Sequence, residues 1–349
     1  MGREVGRVKK DARGPGFGRK IDLVPVHTLT ADRGDAGRRL DLVLRRHLTG
    51  VEAATRTRVQ AWIENGQVSV NGAPVHRVAA RTALGDVVTV VLPSTAEAGS
   101  RGPMAAEDVR LDVLYEDDHL LAVDKPAGVV VHPTHAHGSG TMMNALLWHA
   151  REWPAGARPS LVGRLDKLTS GVLLVAKTAA VHAALQRTAL EKDYLAVVYG
   201  RVNVARGEID LRLGRDRGDR RKVVASRDVG APSLTRFERL ARVAAPRAGL
   251  SLLRSRLVTG RTHQIRVHLA ARGWPIVGDP VYGEPRWAQV TDRALAGTLR
   301  AFPRQALHAW RVSLTHPVTR APLSLEASVP PDFQDLLVAS GLSREFRSG

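Results

Sequence analysis

The chain has 349 residues, of which 44% are hydrophobic and 25% charged, a composition typical of an ordinary globular protein with about twice the length of one average domain. No stretch approaches the roughly 20 apolar residues of a membrane-spanning helix, and the absence of cysteine excludes a disulfide framework, a thiolate metal site and a cysteine nucleophile. A formal net charge of +18 favours a polyanionic partner, above all nucleic acid, and the alternative is a compositional bias towards arginine that only decorates the surface.

Residues 1–26 are predicted to form a basic flexible arm. The first twenty residues carry seven basic and two acidic side chains, with glycines and little apolar content. The arm could hold RNA loosely or be a solvated tail. No apolar core follows its basic residues, so it does not resemble a secretory signal, and we expect the protein in the cytoplasm.

Residues 27–93 are predicted to form a compact α/β module. "GRRLDLVLRRHL" predicts a helix with Leu40, Val43, Leu44 and Leu48 on one face, and "TRTRVQAWIENG" predicts a second helix that Thr55 opens and Gly66 ends. "QVSVNGAPV" predicts a hairpin at Asn71-Gly72, and "LGDVVTVVLP" adds a strand.

This segment resembles the S4-like RNA-binding module over roughly residues 38–92, because "RRLD", the two helices, the hairpin and "LGDVV" occur in the family's order. The resemblance implies that basic side chains of the two helices bind structured RNA, and it assigns this role here to Arg39, Arg56 and Arg58. These basic faces could also simply be solvated.

Residues 94–108, rich in Ser, Ala, Gly and Pro, are predicted to be a linker. From 109 to 335, short apolar strands alternate with turns, and helical patterns such as "TAAVHAALQRTALEK" are fewer. This pattern favours an α+β fold with a large mixed or antiparallel sheet, followed by a C-terminal tail at 336–349.

Familiar chemistry motifs are absent: the sequence holds no GxxxxGK[ST], GxGxxG, HExxH or GxSxG pattern. The loop "VVVHPTHAHGSG" brings His132, His135 and His137 close together in sequence, but no further ligand motif completes a metal site. We therefore expect this loop to pack near the functional site or to touch phosphate.

The stretch "LVGRLDKLTSGVLLVAKT" places Asp166 directly before a run suited to a buried strand. A carboxylate at a partly desolvated strand entrance needs a nearby cation to stay charged. "GRLD" and "RTHQIR" supply three arginines, Arg164, Arg261 and Arg266. The plain alternative is that Asp166 caps a turn and that Arg164 is a surface residue.

Residues 110–330 resemble the RluA-type family of RNA pseudouridine synthases. The family pattern H-R-L-D-x-x-T-S-G corresponds to "GRLDKLTSG", and five further segments follow the family in order: "YEDDHLLAVDKPAGVVVHP", "KDYLAVVYG", "TGRTHQIRVHLA", "WPIVGDPVYG" and "QALHAWRVSLTHPVT". The chief departure is Gly163, where many members have histidine, and this difference bears on substrate preference.

The resemblance implies a role for each matching residue. Asp166 would be the catalytic carboxylate, which attacks the ribose or the base of the target uridine or abstracts a ribose proton. Arg266 would pair with it, with Arg261 as the fallback, and Tyr194 would lie against the uracil ring. Arg164 would fill the space left by the flipped nucleotide. The other predicted substrate contacts are Thr169, Gln264, Arg261 and Leu307.

The family's reaction requires no cofactor or metal, and we expect RNA, in particular large-subunit ribosomal RNA, as the partner of a monomeric enzyme without membrane contact. Three alternatives remain open. The same chemistry could act on transfer RNA, the chain could be a non-catalytic RNA-binding ribosome-assembly factor, or it could excise a base.

Overall fold

A computed structural model describes residues 26–49, 51, 54–92, 104–133, 139–216, 218–219, 222–243, 249–283 and 286–344. The chain divides into two compact units, Met1–Pro103 and Met104–Gly349, each with its own core. This division falls inside the predicted linker at 94–108, and the finer domain boundaries remain predictions. Most of the predicted arm, residues 1–25, lies outside the described residues, as do His135 and His137.

The smaller unit packs two helices on one antiparallel sheet. Its elements are strands β1 (Val26–Thr30), β2 (Val68–Val70), β3 (Ala73–Pro74) and β4 (Val87–Val91), and helices α1 (Leu40–His47) and α2 (Arg56–Glu64). The strand order is β1-β4-β2-β3. Leu40 and Leu44 of α1, apolar residues of α2 and the inward valines of the sheet form its core; the α2 residues are Val59, Trp62 and Ile63.

Local signals in the sequence account for these elements, and the predicted helices and hairpin are confirmed. The Thr55 side chain accepts the N–H of Arg58 at the start of α2, and Gly66 ends that helix with a φ of 74°. Asn71 and Gly72 have φ values of 51° and 82°, which is the geometry that a two-residue hairpin between β2 and β3 requires.

The larger unit contains twelve strands and five α-helices among its described residues. The strands are β5 (Val113–Glu116), β6 (Leu120–Lys125), β7 (Ser160–Leu161), β8 (Ser170–Ala176), β9 (Glu191–Tyr199), β10 (Arg206–Asp210), β11 (Arg212–Arg215), β12 (Val223–Ser226), β13 (Leu234–Val243), β14 (Leu250–Leu257), β15 (Leu307–Thr315) and β16 (Pro322–Glu326). The helices are α3 (Met142–His149), α4 (Ala179–Arg187), α5 (Gln264–Ala271), α6 (Arg293–Ala301) and α7 (Pro331–Ala339), with short 3₁₀ turns at Ala150–Glu152, Arg286–Gln289 and Leu342–Arg344.

Ten of these strands form one mixed sheet, which confirms the predicted α+β class. The order is β10-β13-β14-β9-β15-β8-β6-β5, with β16 added to β15 and β7 to β8, whereas β11 and β12 pair with each other. All neighbours are antiparallel except β8 and β15. Because that pair is parallel, the amino ends of both strands meet at the same edge of the sheet.

The parallel pair depends on a glycine. Gly171 in β8 lies opposite Ala309 in β15 with a φ of 112°, and a Cβ at this position would overlap the carbonyl oxygen of Ala309. Any other residue would push the two strands apart. The Thr-Ser-Gly run after Asp166 therefore allows the close strand contact beside which the site is built.

The C-terminal residues contribute to the main core. Helix α7 continues across residue 336, where the sequence predicted a tail, and Leu336, Leu337 and Leu342 pack in the same core as β9 and β14. Residues 345–349 lie outside the described part of the chain. None of the helices among the described residues combines the length and apolarity that crossing a membrane requires.

Candidate active site

Asp166 lies in a tight turn at the amino end of β8, at the centre of the sheet. The N–H of Thr169 donates to the carbonyl oxygen of Asp166 at 3.1 Å, closing the turn. β8 is buried along its whole length, whereas the Asp166 side chain is 27% exposed. The carboxylate is thus held in a turn directly before a buried strand and is still accessible to solvent.

A buried cation binds the backbone of this turn. The ammonium group of Lys125, which is fully buried at the end of β6, donates to the carbonyl oxygens of Pro126, Val129 and Lys167 at 2.7, 2.9 and 3.2 Å. Burial and the charge of Arg304 lower the pKa of Lys125 to about 8. Its hydrogen bond to Lys167 fixes the peptide that follows Asp166.

Arg266 binds the Asp166 carboxylate. Its Nη1 donates to Asp166 Oδ2 at 2.8 Å, while Nε and Nη2 make a two-pronged contact with Asp279 at 2.7 and 2.8 Å. Burial alone would lower the pKa of Arg266, but the two carboxylates raise it. Burial likewise opposes the charge on Asp279, and Arg266 outweighs this effect and lowers the pKa of that carboxyl. Arg266 therefore stays charged and is fixed in orientation before substrate arrives.

His263 is a second group that faces Asp166, and no role for it was predicted from the sequence. Its Nε2 lies 3.8 Å from Asp166 Oδ1, and its Nδ1 lies 2.8 Å from the hydroxyl of Tyr282. His263 precedes α5 with a φ of 57°, a conformation that aims the ring into the site. Burial lowers the pKa of His263, and the charge of Asp166 opposes that change.

Tyr194 and Leu307 line a small cavity of about 60 Å³ beside Asp166. Tyr194 lies on β9 opposite Ala309 of β15, and Leu307 is the first residue of β15. Both side chains are buried. Burial and then the charge of Asp166 raise the pKa of Tyr194, so its phenol is protonated at neutral pH.

A larger cleft of about 560 Å³ opens next to this cavity. Arg164 and Arg261, both exposed, line it together with Asp166, and Arg164 donates to the hydroxyl of Thr262 at 3.4 Å. His132 also lines the cleft, as expected for its loop. The structure thus places three arginines around one carboxylate, of which Arg266 binds Asp166 directly.

Thr169 and Gln264 are buried, and their side chains bind protein groups. The Thr169 hydroxyl accepts from Gln305 at 3.1 Å. The amide nitrogen of Gln264 donates to the carbonyl of Leu234 and the hydroxyl of Thr235, and its oxygen accepts from Thr259 and from the N–H of Arg261. With all four of its hydrogen bonds used within the protein, Gln264 positions the loop before α5, and its contact with substrate stays a prediction.

Gly163 occupies a position where a side chain would be strained. Its φ is 99°, and a Cβ would lie 3.0 Å from the ammonium nitrogen of Lys192, which donates to the carbonyl of Val162 at 2.9 Å. Lys192 therefore fills part of the space that a histidine would need.

The three arginines predicted to bind RNA in the smaller unit differ in their surroundings. Arg39 forms a two-pronged contact with Asp41 at 2.9 and 3.0 Å, which ties its guanidinium to α1. Arg56 and Arg58 are exposed in the first turn of α2. All three arginines belong to the smaller unit, whereas Asp166 belongs to the larger one.

The sequence alone assigned no role to four further residues of the site: Lys125, His263, Asp279 and Tyr282. Each lies in a segment that was compared with the family, namely "VDKPAG", "RTHQIR" and "VGDPVYG". For Lys125, Asp279 and Tyr282 the available signal was a charged or aromatic residue next to proline or glycine, and His263 had no such neighbour. Their partners could not be read from spacing, because the contacts join separate loops.

Comparison with known proteins agrees with this geometry. Residues 119–271 match the RNA pseudouridylate synthase family. The chain is 40% identical over 296 residues to ribosomal large subunit pseudouridine synthase D of Pseudomonas aeruginosa, covering 83% of this chain and 89% of that protein. It is 42% identical over 313 residues to the protein of the same name from Xanthomonas campestris, covering 87% and 89%.

The solved structure of human RNA pseudouridylate synthase domain containing 4 shares the fold, with a TM-score of 0.50 and 22% identity over 66% of this chain and 92% of that one. The smaller unit, with its two helices and four-stranded sheet, is consistent with an S4-like module. On the identity and coverage of its relatives, the chain belongs to the RNA pseudouridine synthase family and is an isomerase that forms pseudouridine.

Proposed function

We propose that this enzyme converts specific uridines of large-subunit ribosomal RNA to pseudouridine, with Asp166 as the catalytic carboxylate. The observation that carries the proposal is the Asp166 carboxylate, held by Arg266 at the mouth of a cleft of about 560 Å³ with exposed arginines on its wall. The names of the two bacterial relatives support ribosomal RNA as the substrate class.

The arginines and the net charge of +18 favour binding of RNA, which is the first step. Phosphate contacts supply most of the affinity of such a protein for RNA. A uridine inside a stacked helix has to be extruded before its base can react, and this costs a few kcal/mol. Arg164, exposed on the cleft wall, is suited to stack in the vacated position and to recover part of that cost.

Inside the site, Asp166 attacks the flipped nucleotide as a charged carboxylate that Arg266 holds in place, and the bond that forms between the carboxylate and the nucleotide breaks again before the product leaves. The bond between N1 of uracil and C1′ of ribose breaks, and a bond between C5 and C1′ forms. One proton leaves C5 and one is taken up at N1, so the composition of the nucleotide is unchanged and no oxidant or reductant is consumed. Tyr194, a buried neutral phenol, walls the cavity for the rotating uracil.

Tritium release tests this proposal. Ribosomal RNA that carries tritium at C5 of uridine is incubated with the wild type, with Asp166→Asn and with Asp292→Asn, and the modified positions are then mapped. Asp292 caps α6 at the surface, and asparagine is an equally good cap, so Asp292→Asn is a matched control that retains activity.

We expect release by the wild type and the control, and none by Asp166→Asn, which still binds RNA. Release by Asp166→Asn at the wild-type rate would refute the role of Asp166. If the wild type releases no tritium from ribosomal RNA, release from transfer RNA would identify that substrate. Tight binding without release from either RNA would favour an assembly factor, and free uracil would indicate base excision.

We further propose that the enzyme acts as a monomer and that it works in the cytoplasm. Sedimentation velocity with and without RNA tests the oligomeric state.

A further inference from the structure

A turn at residues 279–282 is fixed in shape by two glycines. Gly278 has a φ of 70°, and a Cβ there would overlap the carbonyl oxygen of Arg304. A Cβ on Gly283 would overlap the carbonyl oxygen of Asp279, to which its own N–H donates. Neither glycine can therefore be replaced without a shift of the backbone, so this turn requires glycine at both positions.

This turn contacts both groups that face Asp166. Asp279 Oδ1 accepts hydrogen bonds from the N–H groups of Val281 and Tyr282 at 2.9 and 3.0 Å, and the same carboxylate binds Arg266. At its other end, the Tyr282 hydroxyl bonds to His263, and the two rings meet edge to face with centroids 5.6 Å apart. One turn therefore contacts both the arginine and the histidine.

The hydroxyl of Tyr282 makes a second contact, with the backbone. Its oxygen accepts the N–H of Val223 at 2.9 Å, and its own proton is available for Nδ1 of His263, 2.8 Å away. When Tyr282 donates to Nδ1, the ring proton of neutral His263 is on Nε2, the nitrogen 3.8 Å from Asp166 Oδ1. The two contacts of Tyr282 thus link the backbone of Val223 to the ring that faces Asp166.

Val223 is the first residue of β12, in the hairpin β11–β12 that stands apart from the ten-stranded sheet. The hairpin and the turn after it expose four basic side chains, Arg212, Arg215, Lys222 and Arg227, against one exposed carboxylate, Asp228. A hairpin with this charge is suited to track an RNA backbone. Tyr282 thus joins a basic, separately paired hairpin to a histidine that faces the reactive carboxylate.

We propose that Tyr282 is a positioning residue that couples binding of RNA by the hairpin to the orientation of His263 and, through it, of Asp166. RNA on the hairpin holds Val223 against the Tyr282 hydroxyl, and this keeps Nε2 of His263 directed at Asp166. The proposal rests on the proposed function, because it requires RNA as the substrate.

Tyr282→Phe removes one hydroxyl and keeps the ring, which also lies 5.0 Å from the Arg266 guanidinium. We expect the single-turnover rate at saturating RNA to fall about tenfold, the loss that one hydrogen bond can account for, while the RNA Kd changes less than twofold. The matched control is Tyr115→Phe. It removes a hydroxyl of β5 that donates to Asp117, directly after that strand, and it should keep the wild-type rate.

His263→Asn tests the second link. Asparagine tolerates the φ of 57° and keeps a polar group near the position of Nδ1, but it lacks Nε2. We expect the same rate loss as for Tyr282→Phe, and adding Tyr282→Phe to His263→Asn should slow the reaction no further. Thermal unfolding of each variant shows whether it folds as the wild type does.

A double-mutant cycle with Lys222→Ala separates coupling from plain structural damage. Lys222→Ala should lower the rate about threefold at saturating RNA in the wild-type background and leave it unchanged in the Tyr282→Phe background. Equal effects in both backgrounds, or a wild-type rate for Tyr282→Phe, would overturn the relay and leave the proposed function intact. An inactive wild type would instead refute the proposed function.

Discussion

Replacement of Arg266 by methionine tests whether the buried ion pair beside Asp166 has the energetics that its geometry implies. The Arg266 side chain is 5% exposed and that of Asp279 is fully buried, and they share two hydrogen bonds of 2.7 and 2.8 Å. Without the arginine, Asp279 keeps only the two backbone N–H groups of Val281 and Tyr282. The free energy of unfolding should fall by about 3–5 kcal/mol, because a buried charge is left without its partner.

For a domain of this size, that loss corresponds to a fall in Tm of about 6–20 °C. The double variant Arg266→Met/Asp279→Asn removes the stranded charge, since asparagine can still accept the two N–H groups. We expect it to be more stable than Arg266→Met alone by about 2 kcal/mol. Both variants should show only background tritium release, because Asp166 has lost its cation.

Urea and thermal unfolding, followed by tryptophan fluorescence, measure these differences in the wild type, the two single variants and the double variant. If the double variant loses as much stability as the two single variants together, the charges are not coupled, and the reasoning from burial fails. Wild-type tritium release by Arg266→Met would refute the role of Arg266 in holding Asp166.

Burial and the neighbouring Asp112 raise the pKa of Asp124 from 3.8 to about 6. The native state therefore binds more protons than the unfolded chain between about pH 4 and 6 and loses stability as the pH rises through that window. Asp124→Asn removes this loss. It should raise the free energy of unfolding by about 1–2 kcal/mol at pH 7 and leave it unchanged at pH 4. A difference between variant and wild type in urea unfolding that does not change with pH would contradict this. Gly163→Ala should lower the free energy of unfolding by about 1–2 kcal/mol because of its positive φ, and unchanged urea midpoints would argue against that strain. Arg56→Glu with Arg58→Glu should weaken RNA binding and reduce the slope of log Kd against log salt, and unchanged binding would refute an RNA-binding role for α2.

The sequence by itself determined the local elements. Helices α1 and α2 follow from the 3.6-residue spacing of their leucines and valines and from Thr55 and Gly66, and the β2–β3 hairpin follows from Asn71-Gly72. These signals act over a few residues, so no knowledge of the rest of the chain was needed. The net charge similarly predicted a polyanionic partner. The resemblance to a family went further, since its ordered motifs named Asp166 and Arg266 as a pair.

Only the tertiary structure decided which groups meet around Asp166. The parallel contact of β8 with β15 brings Leu307 next to the Asp166 turn, although the two lie far apart in sequence. The packing also gives Gln264 four protein partners for its side-chain amide, none of which its sequence neighbours revealed. Lys125, His263 and Tyr282 act through hydrogen bonds between separate loops, and the partner of such a bond is set by the packing of the whole sheet, which no local pattern encodes.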